Sequence, residues 1–221
     1  MISFTTGNLL DLSYTIAANL FDGLTYPWEA LPLIENFIIK LGNTLPREEY
    51  NRLSEHAWVH KTAKVAPTAF IGEKVIICAE AEIRHCAFIR GSAVVGKNAV
   101  IGNSTELKNV VLFDNVQAPH YNYVGDSILG YKSHMGAGSI TSNVKSDKSL
   151  VFVKNGNDIL ETGLKKFGAI FGDFVEIGCN SVLNPGSVVG RGTHVYPLSM
   201  VRGCVPANSI YKNSCEIVNM K

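Results

Sequence analysis

The chain has 221 residues, 46% of them hydrophobic, and carries a net charge of +1. That composition supports a packed core, excludes a disordered chain and gives no global attraction to nucleic acid or an anionic membrane. No apolar run approaches the roughly 20 residues of a membrane span, no secretory signal is read, and five cysteines without CxxC spacing read as free thiols in a reducing cytoplasm.

Residues 1–58 read as an N-terminal helical cap. Residues 9–21 are rich in helix formers, and Leu33, Ile34, Phe37, Ile38 and Leu41 fall at helical spacing. Pro27 and Pro32 bracket the start of that second helix and Gly42 ends it. Residues 47–56 read as one or two further helical turns. With no glycine-rich phosphate loop in this stretch, a nucleotide-binding domain is not expected there.

From residue 59 the period becomes six. Val59, Val65, Ile71, Ile77, Ile83, Ile89, Val95, Ile101, Leu107 and Phe113 share one frame, which resumes at Phe171, Ile177, Leu183, Val189, Val195 and Val201. A small or β-branched residue follows most frame residues four positions later, with Gln117 breaking the rule. Gly72, Gly96 and Gly102 directly follow the frame residue, where a turning chain can use positive φ. A helix would smear this period around its axis and a flat sheet would use a period of two. Short strands joined at regular corners fit it, three sides to a coil, so residues 59–205 read as an all-β solenoid, a parallel β-helix. Its two ends would expose unpaired strand edges, one covered by residues 1–58 and the other by the tail 206–221. The repeat is interrupted at about 144–168, where residues 150–153, Asn155-Gly156 and a return from Ile159 read as a β-hairpin. This insertion is either a tolerated surface loop or, given Lys145, Lys148, Lys165 and Lys166, a flap over a neighbouring site.

Arg90 and Lys108 lie 18 residues apart, one full coil, and each follows a frame residue. Both are therefore expected at the same corner of adjacent coils, with backbones about 4.8 Å apart. Two cations at that separation repel by about 1 kcal/mol in water, so an anion is expected between them. Phosphate suits, although Glu106 can supply the countercharge instead. His120 follows a proline where the frame slips: Phe113 to Met135 is 22 residues, two short of complete repeats. An imidazole there can take a proton from an amine, or can be a surface histidine satisfied by backbone carbonyls. His56 and His60, or His120 and His134, raise a metal reading that no third nearby histidine completes.

The repeat, with Gly102-Asn103-Ser104-Thr105-Glu106-Leu107-Lys108, Pro119-His120-Tyr121-Asn122-Tyr123-Val124-Gly125-Asp126 and Gly136-Ala137-Gly138-Ser139-Ile140-Thr141-Ser142-Asn143, resembles a known family. It is similar to the acetyltransferase domain of the bifunctional bacterial glucosamine-1-phosphate acetyltransferase/UDP-N-acetylglucosamine pyrophosphorylase, and to related archaeal sugar-1-phosphate nucleotidylyltransferases. The resemblance implies the left-handed form of the β-helix (hexapeptide repeats). It implies Arg90 and Lys108 as phosphate ligands, His120 as general base, and Glu106, Tyr123 and Asn143 in the substrate pocket. Ala137 and Cys179 would line the acetyl-coenzyme A site, that molecule being a co-substrate; no tightly bound cofactor and no metal are expected. His134 stands where the family has an asparagine that contacts the amino sugar. The family's basic tail residue has no clear counterpart around Lys212, and its nucleotidyltransferase domain has no match in residues 1–58, so pyrophosphorylase activity is not expected of this chain alone.

Taken together, the sequence predicts a cytoplasmic, homotrimeric acyltransferase without nucleic-acid or membrane partners. It would move acetyl from acetyl-coenzyme A to an amino sugar phosphate, of the glucosamine-1-phosphate kind, in sugar-nucleotide or cell-envelope precursor synthesis. The alternative is a non-catalytic sugar-phosphate-binding partner of a separate nucleotidyltransferase. Either way, Arg90, Lys108 and His120 are expected to converge on one notch.

Overall fold

The computed structural model describes residues 4–220. Short parallel strands climb a three-sided prism of about nine turns, the left-handed β-helix of hexapeptide-repeat proteins. One face stacks Lys64–Val65, Glu82–Ile83, Val100–Asn103, Gln117–His120, His134–Met135, Glu176–Ile177 and His194–Val195. The second places Phe70, Phe88, Glu106, Tyr123, Ile140, Val182 and Met200 in one outward row. The third stacks Val75–Ile77 on residues 93–95, 110–112, 127–129, 169–171 and 187–189. The inward frame residues Ile83, Ile89, Ile101 and Leu107 are fully buried and form the core with their counterparts.

The third face differs from the others because its outward row is apolar as well. Ile76, Val94, Val111, Ile128, Ile170 and Val188 alternate with inward neighbours and are nevertheless buried. The N-terminal segment covers this row from Ile76 to Ile128, running lengthwise along the prism as a strap and not across its end as the sequence reading expects, while residues 152–155 lie against the strand that holds Val188. Helix Ile34–Gly42 packs on the strands holding Ile76, Val94 and Val111. Further along, Trp28 stacks on Phe167, Phe21 meets Phe113 edge-on, and Tyr14 stacks on Tyr131 at 3.7 Å. The strap is pinned at its far end by Asp173, whose buried carboxylate accepts from Asp11 N at 2.9 Å and from Arg191 at 2.6 Å.

Two helix expectations fail in this segment. Residues 9–21 form only the end of helix Thr6–Leu9 and two 3₁₀ turns, Leu12–Tyr14 and Ala18–Phe21. Asp11 accepts from Ser13 N at 3.0 Å, and Thr15 Oγ1 from Ala17 N at 3.1 Å, so side chains take the amides a helix would use. Residues 47–56 contain strand Tyr50–Ser54, which runs antiparallel to Ala57–His60. Ala57–Val59 already pairs with Val75–Ile77, so the solenoid begins at residue 57. At the other end Glu216–Asn219 folds back antiparallel on Ser209–Asn213. Reversed strands therefore border these sheets where the next parallel coil would add.

The corners overturn the glycine expectation. Positive φ falls on Lys74, Glu80, Cys86, Ser92, Asn98 and Ser104, one every six residues, and not on Gly72, Gly96 or Gly102. Those glycines are needed for close approach between coils: a Cβ on Gly102 would lie 1.5 Å from Pro119 O. Gly102→Ala is therefore expected to cost about 1–3 kcal/mol through overpacking, read as a lower urea midpoint. The register also slips earlier than expected. Arg90 is bulged out of the ladder, Gly91 pairs with Lys108, and Val95 pairs with Leu112, so Leu112 and not Phe113 holds the frame. Asn109 takes the left-handed turn directly after Lys108 and shortens that corner by a residue.

The insertion forms an antiparallel hairpin, Phe152–Asn155 with Asp158–Glu161. It starts two residues later than expected, because Val151 and Val153 bury themselves against the prism. No described helix is long and apolar enough to cross a membrane.

Candidate functional site

The predicted residues gather at two corners of the prism. At the corner joining the second and third faces, Arg90 Nη1 lies 3.4 Å from Glu106 Oε1, with the arginine side chain 58% exposed. Lys108 Nζ donates to both oxygens of Asp126, at 2.9 and 2.8 Å. Asp126 is buried and also accepts from Asn109 at 3.0 Å and Asn143 at 2.5 Å. Tyr123 lies beside Glu106 in register, and its hydroxyl closes over Gly125. Burial, then the Asp126 and Glu106 carboxylates, push its phenol above the ordinary tyrosine range, so it stays a neutral donor at physiological pH.

Arg90, Glu106, Lys108, Tyr123 and Asn143 are thus brought together, with Asp126 and Asn109 as members that spacing arguments missed. The pairing differs from expectation. Because Gly91, not Arg90, stands opposite Lys108, the two cations are not stacked and each has its own carboxylate. Asp126 holds the left-handed turn position that Lys74, Ser92 and Asn109 hold on earlier coils, and nothing in the spacing marks it out from them.

The corner joining the first and second faces carries His120, Ala137 and Cys179. His120 ends its strand in register with Asn103, its main-chain amide donating to Asn122 Oδ1 at 3.1 Å. Its carbonyl accepts from Gly138 N at 3.0 Å, and the Ala137 carbonyl accepts from Asn180 N on the next coil. The buried Asn122 side chain donates to Gly136 O at 2.9 Å and Ser139 O at 3.1 Å, fixing the turn that presents the imidazole. Cys179 is an exposed free thiol. By contrast, burial pushes the Cys78 and Cys204 thiols up to about 12, so neither supplies a thiolate near neutral pH.

His134 lies on the first face, aligned with Gln117 and Glu176, and its Nδ1 is 2.9 Å from Glu176 Oε2. It joins neither cluster directly. Strand Tyr123–Leu129 starts beside the His120 corner and passes Gly125, the residue opposite Lys108. Within one chain the imidazole and the two cations therefore sit at opposite edges of the second face, and the expected single notch does not form. Among the described residues no His, Cys, Asp or Glu cluster is arranged to hold a metal ion.

A family model described as the GMPPB C-terminal domain matches residues 79–217, more than half of the chain. The chain belongs to that family. Beside this GMPPB C-terminal domain match, a bifunctional protein GlmU of Methanococcus maripaludis is 27% identical over 91% of this chain and 49% of its own length. An uncharacterized acetyltransferase, YaiX, of Escherichia coli is 28% identical over 82% of this chain and 85% of its own. Among solved structures, a hexapeptide transferase family protein from Anaplasma phagocytophilum is 19% identical, covering 75% of this chain and 79% of its own, with a TM-score of 0.43. The chain spans half or less of the length of the first curated relatives it matches.

Proposed function

We propose that this chain is an acyltransferase that moves acetyl from acetyl-coenzyme A to the amine of an amino sugar phosphate. What carries the reading is the division of the motif residues into two complementary corners. One holds Arg90, Glu106, Lys108, Tyr123 and Asn143; the other presents the exposed His120 imidazole beside the small residues Ala137 and Gly138. The relatives named for acetyltransfer support the chemistry class.

A site joining the two corners requires neighbouring copies. The second face, which separates them, has an outward row with exposed Phe70, Phe88 and Met200, and the Phe70 and Phe88 rings lie 5.4 Å apart at a tilt of 56°. Packing of prisms through such faces in a trimer sets the His120 corner of one copy against the cationic corner of the next. There Arg90, free to swing off Glu106, and Lys108 bind the phosphate, and Tyr123 donates to the sugar. His120 accepts the proton as the amine nitrogen attacks the thioester carbonyl; the carbon–sulfur bond then breaks and the imidazolium returns that proton to the sulfur, which leaves as the free thiol. The Ala137–Gly138 corner lets the pantetheine arm approach the main chain.

Thiol release from acetyl-coenzyme A with a panel of amino sugar phosphates tests this reading. Release with at least one acceptor supports it, and none with any acceptor removes it. A second reading has a specific observation behind it: His134 is taken up by Glu176, and Lys212 pairs with Glu216 within the tail. On that reading the chain is a sugar-phosphate-binding partner of a separate nucleotidyltransferase. It then binds a sugar phosphate in calorimetry and does not bind coenzyme A.

A further inference from the structure

The hairpin encloses a second basic cleft that the acyl-transfer reading does not use. It has a volume of about 390 Å³ and lies between the hairpin and the solenoid corners at 184–185 and 202–203. That is within the size range of small-ligand sites. Lys145, Lys154 and Arg202 line it against a single carboxylate, Asp147. The carboxylate is already committed: Lys145 Nζ lies 3.7 Å from it, and Ser149 donates to it through N and Oγ. Lys154 and Arg202 have no carboxylate within ion-pair distance among the described residues.

The cleft is built by the fold and not by loosely placed lysines. Along the hairpin strand Val151 and Val153 are buried against the prism, so the alternating Phe152 and Lys154 must face the other way, into the cleft. Gly186 and Gly203 let the hairpin backbone dock: a Cβ on either would meet Phe152 O at 2.6 Å or Lys154 O at 2.9 Å. Arg202 is supplied by the solenoid, on the same corner row as Ser142 and Asn184. Lys145 and Lys154 both lie over the Phe152 ring, at 4.6 and 5.8 Å from its centre. Two ammonium groups share one ring and Arg202 lines the same cleft, so three cations face one space that holds a single carboxylate, and like charges gathered in this way repel. An anion relieves that repulsion, and Phe152, Val144 and Pro185 add a flat apolar wall beside it.

We infer that this cleft binds a nucleotide, its phosphates on Lys154 and Arg202 and its base against Phe152. The inference is independent of the acyl-transfer reading. Calorimetry of the full chain with inorganic pyrophosphate and with adenosine, guanosine and uridine diphosphates tests it. At least one nucleoside diphosphate is expected to bind more tightly than pyrophosphate. Arg202→Ala and Lys154→Ala should each weaken it about tenfold, as for loss of a charge-assisted hydrogen bond. Phe152→Ala should reduce the preference over pyrophosphate, and Lys108→Ala should change nothing, which separates this cleft from the proposed sugar-phosphate corner. Both basic side chains are exposed, so their removal leaves the fold intact. Absence of nucleotide binding, or unchanged binding in the Lys154→Ala/Arg202→Ala double variant, overturns the proposal.

Discussion

His120→Ala is expected to lower acetyl-coenzyme A-dependent thiol release by about 10²–10⁴-fold, the usual contribution of a positioned general base. The same variant should unfold within about 0.5 kcal/mol of the parent, as for an exposed side chain outside any network. The structure separates these two effects. The turn around His120 is held by main-chain groups: its amide donates to Asn122 and its carbonyl accepts from Gly138. Alanine keeps both bonds, so a loss of activity would report the imidazole and not a collapsed corner. Activity unchanged by the substitution would assign proton removal elsewhere, and a large loss of stability would make His120 structural. A complementation experiment extends the test. If the site spans copies, mixing inactive His120→Ala with inactive Lys108→Ala chains, then refolding them together, restores part of the activity. Mixed assemblies contain junctions in which both corners are intact.

The scaffold was legible in the sequence because a six-residue period admits so few packings. Each frame residue from Ile71 to Leu107 points into the prism, and the three-sided repeat follows from strand length alone. The strap was harder to read because its signal lies in the solenoid and not in the strap. Ile76, Val94, Val111, Ile128 and Ile170 form an apolar row on the outside of one face, and such a row demands lateral cover. The helix count in residues 9–21 failed for a local reason, since Asp11 and Thr15 draw backbone amides away from helical partners. At the site, residue types were easier to find than their grouping. Counting coils as 18 residues placed Arg90 opposite Lys108, whereas the bulge at Arg90 and the early turn at Asn109 shift the cations apart. Hydrophobic periodicity misplaces a one-residue slip of this kind, because Val110, Val111, Leu112 and Phe113 are all apolar and the frame can be counted through Leu112 or Phe113 alike. The two-corner arrangement also follows from that geometry, as the strand between His120 and Lys108 spans a whole face.

Asp126→Ala should destabilise the chain by about 3 kcal/mol, the lower end of what breaking a buried ion pair costs, since the Lys108 side chain remains 21% exposed. The carboxylate is 5% exposed and holds four contacts at once: Lys108 through both oxygens, Asn109 and Asn143. Its loss leaves the Lys108 ammonium and the Asn143 amide without this acceptor, while Asn109 keeps its bond to Leu31 O, at a turn where Asn109 and Asp126 both hold positive φ. Alanine is also a poorer fit than aspartate to that left-handed backbone. Substituting Lys108 by methionine in the same background removes the stranded charge and keeps most of the side-chain volume. The double variant should therefore recover stability relative to Asp126→Ala, giving a coupling energy above about 1 kcal/mol in urea unfolding. Strictly additive losses would mean that the pair is held by the surrounding turn and contributes no energy of its own. The cycle also bears on binding. With Asp126 present, Lys108 is oriented but electrically compensated, so phosphate must share it; with Asp126 gone, the lysine gains freedom and loses position. An organic phosphate is then expected to bind less specifically and with a steeper dependence on salt, because an unplaced cation attracts any anion alike.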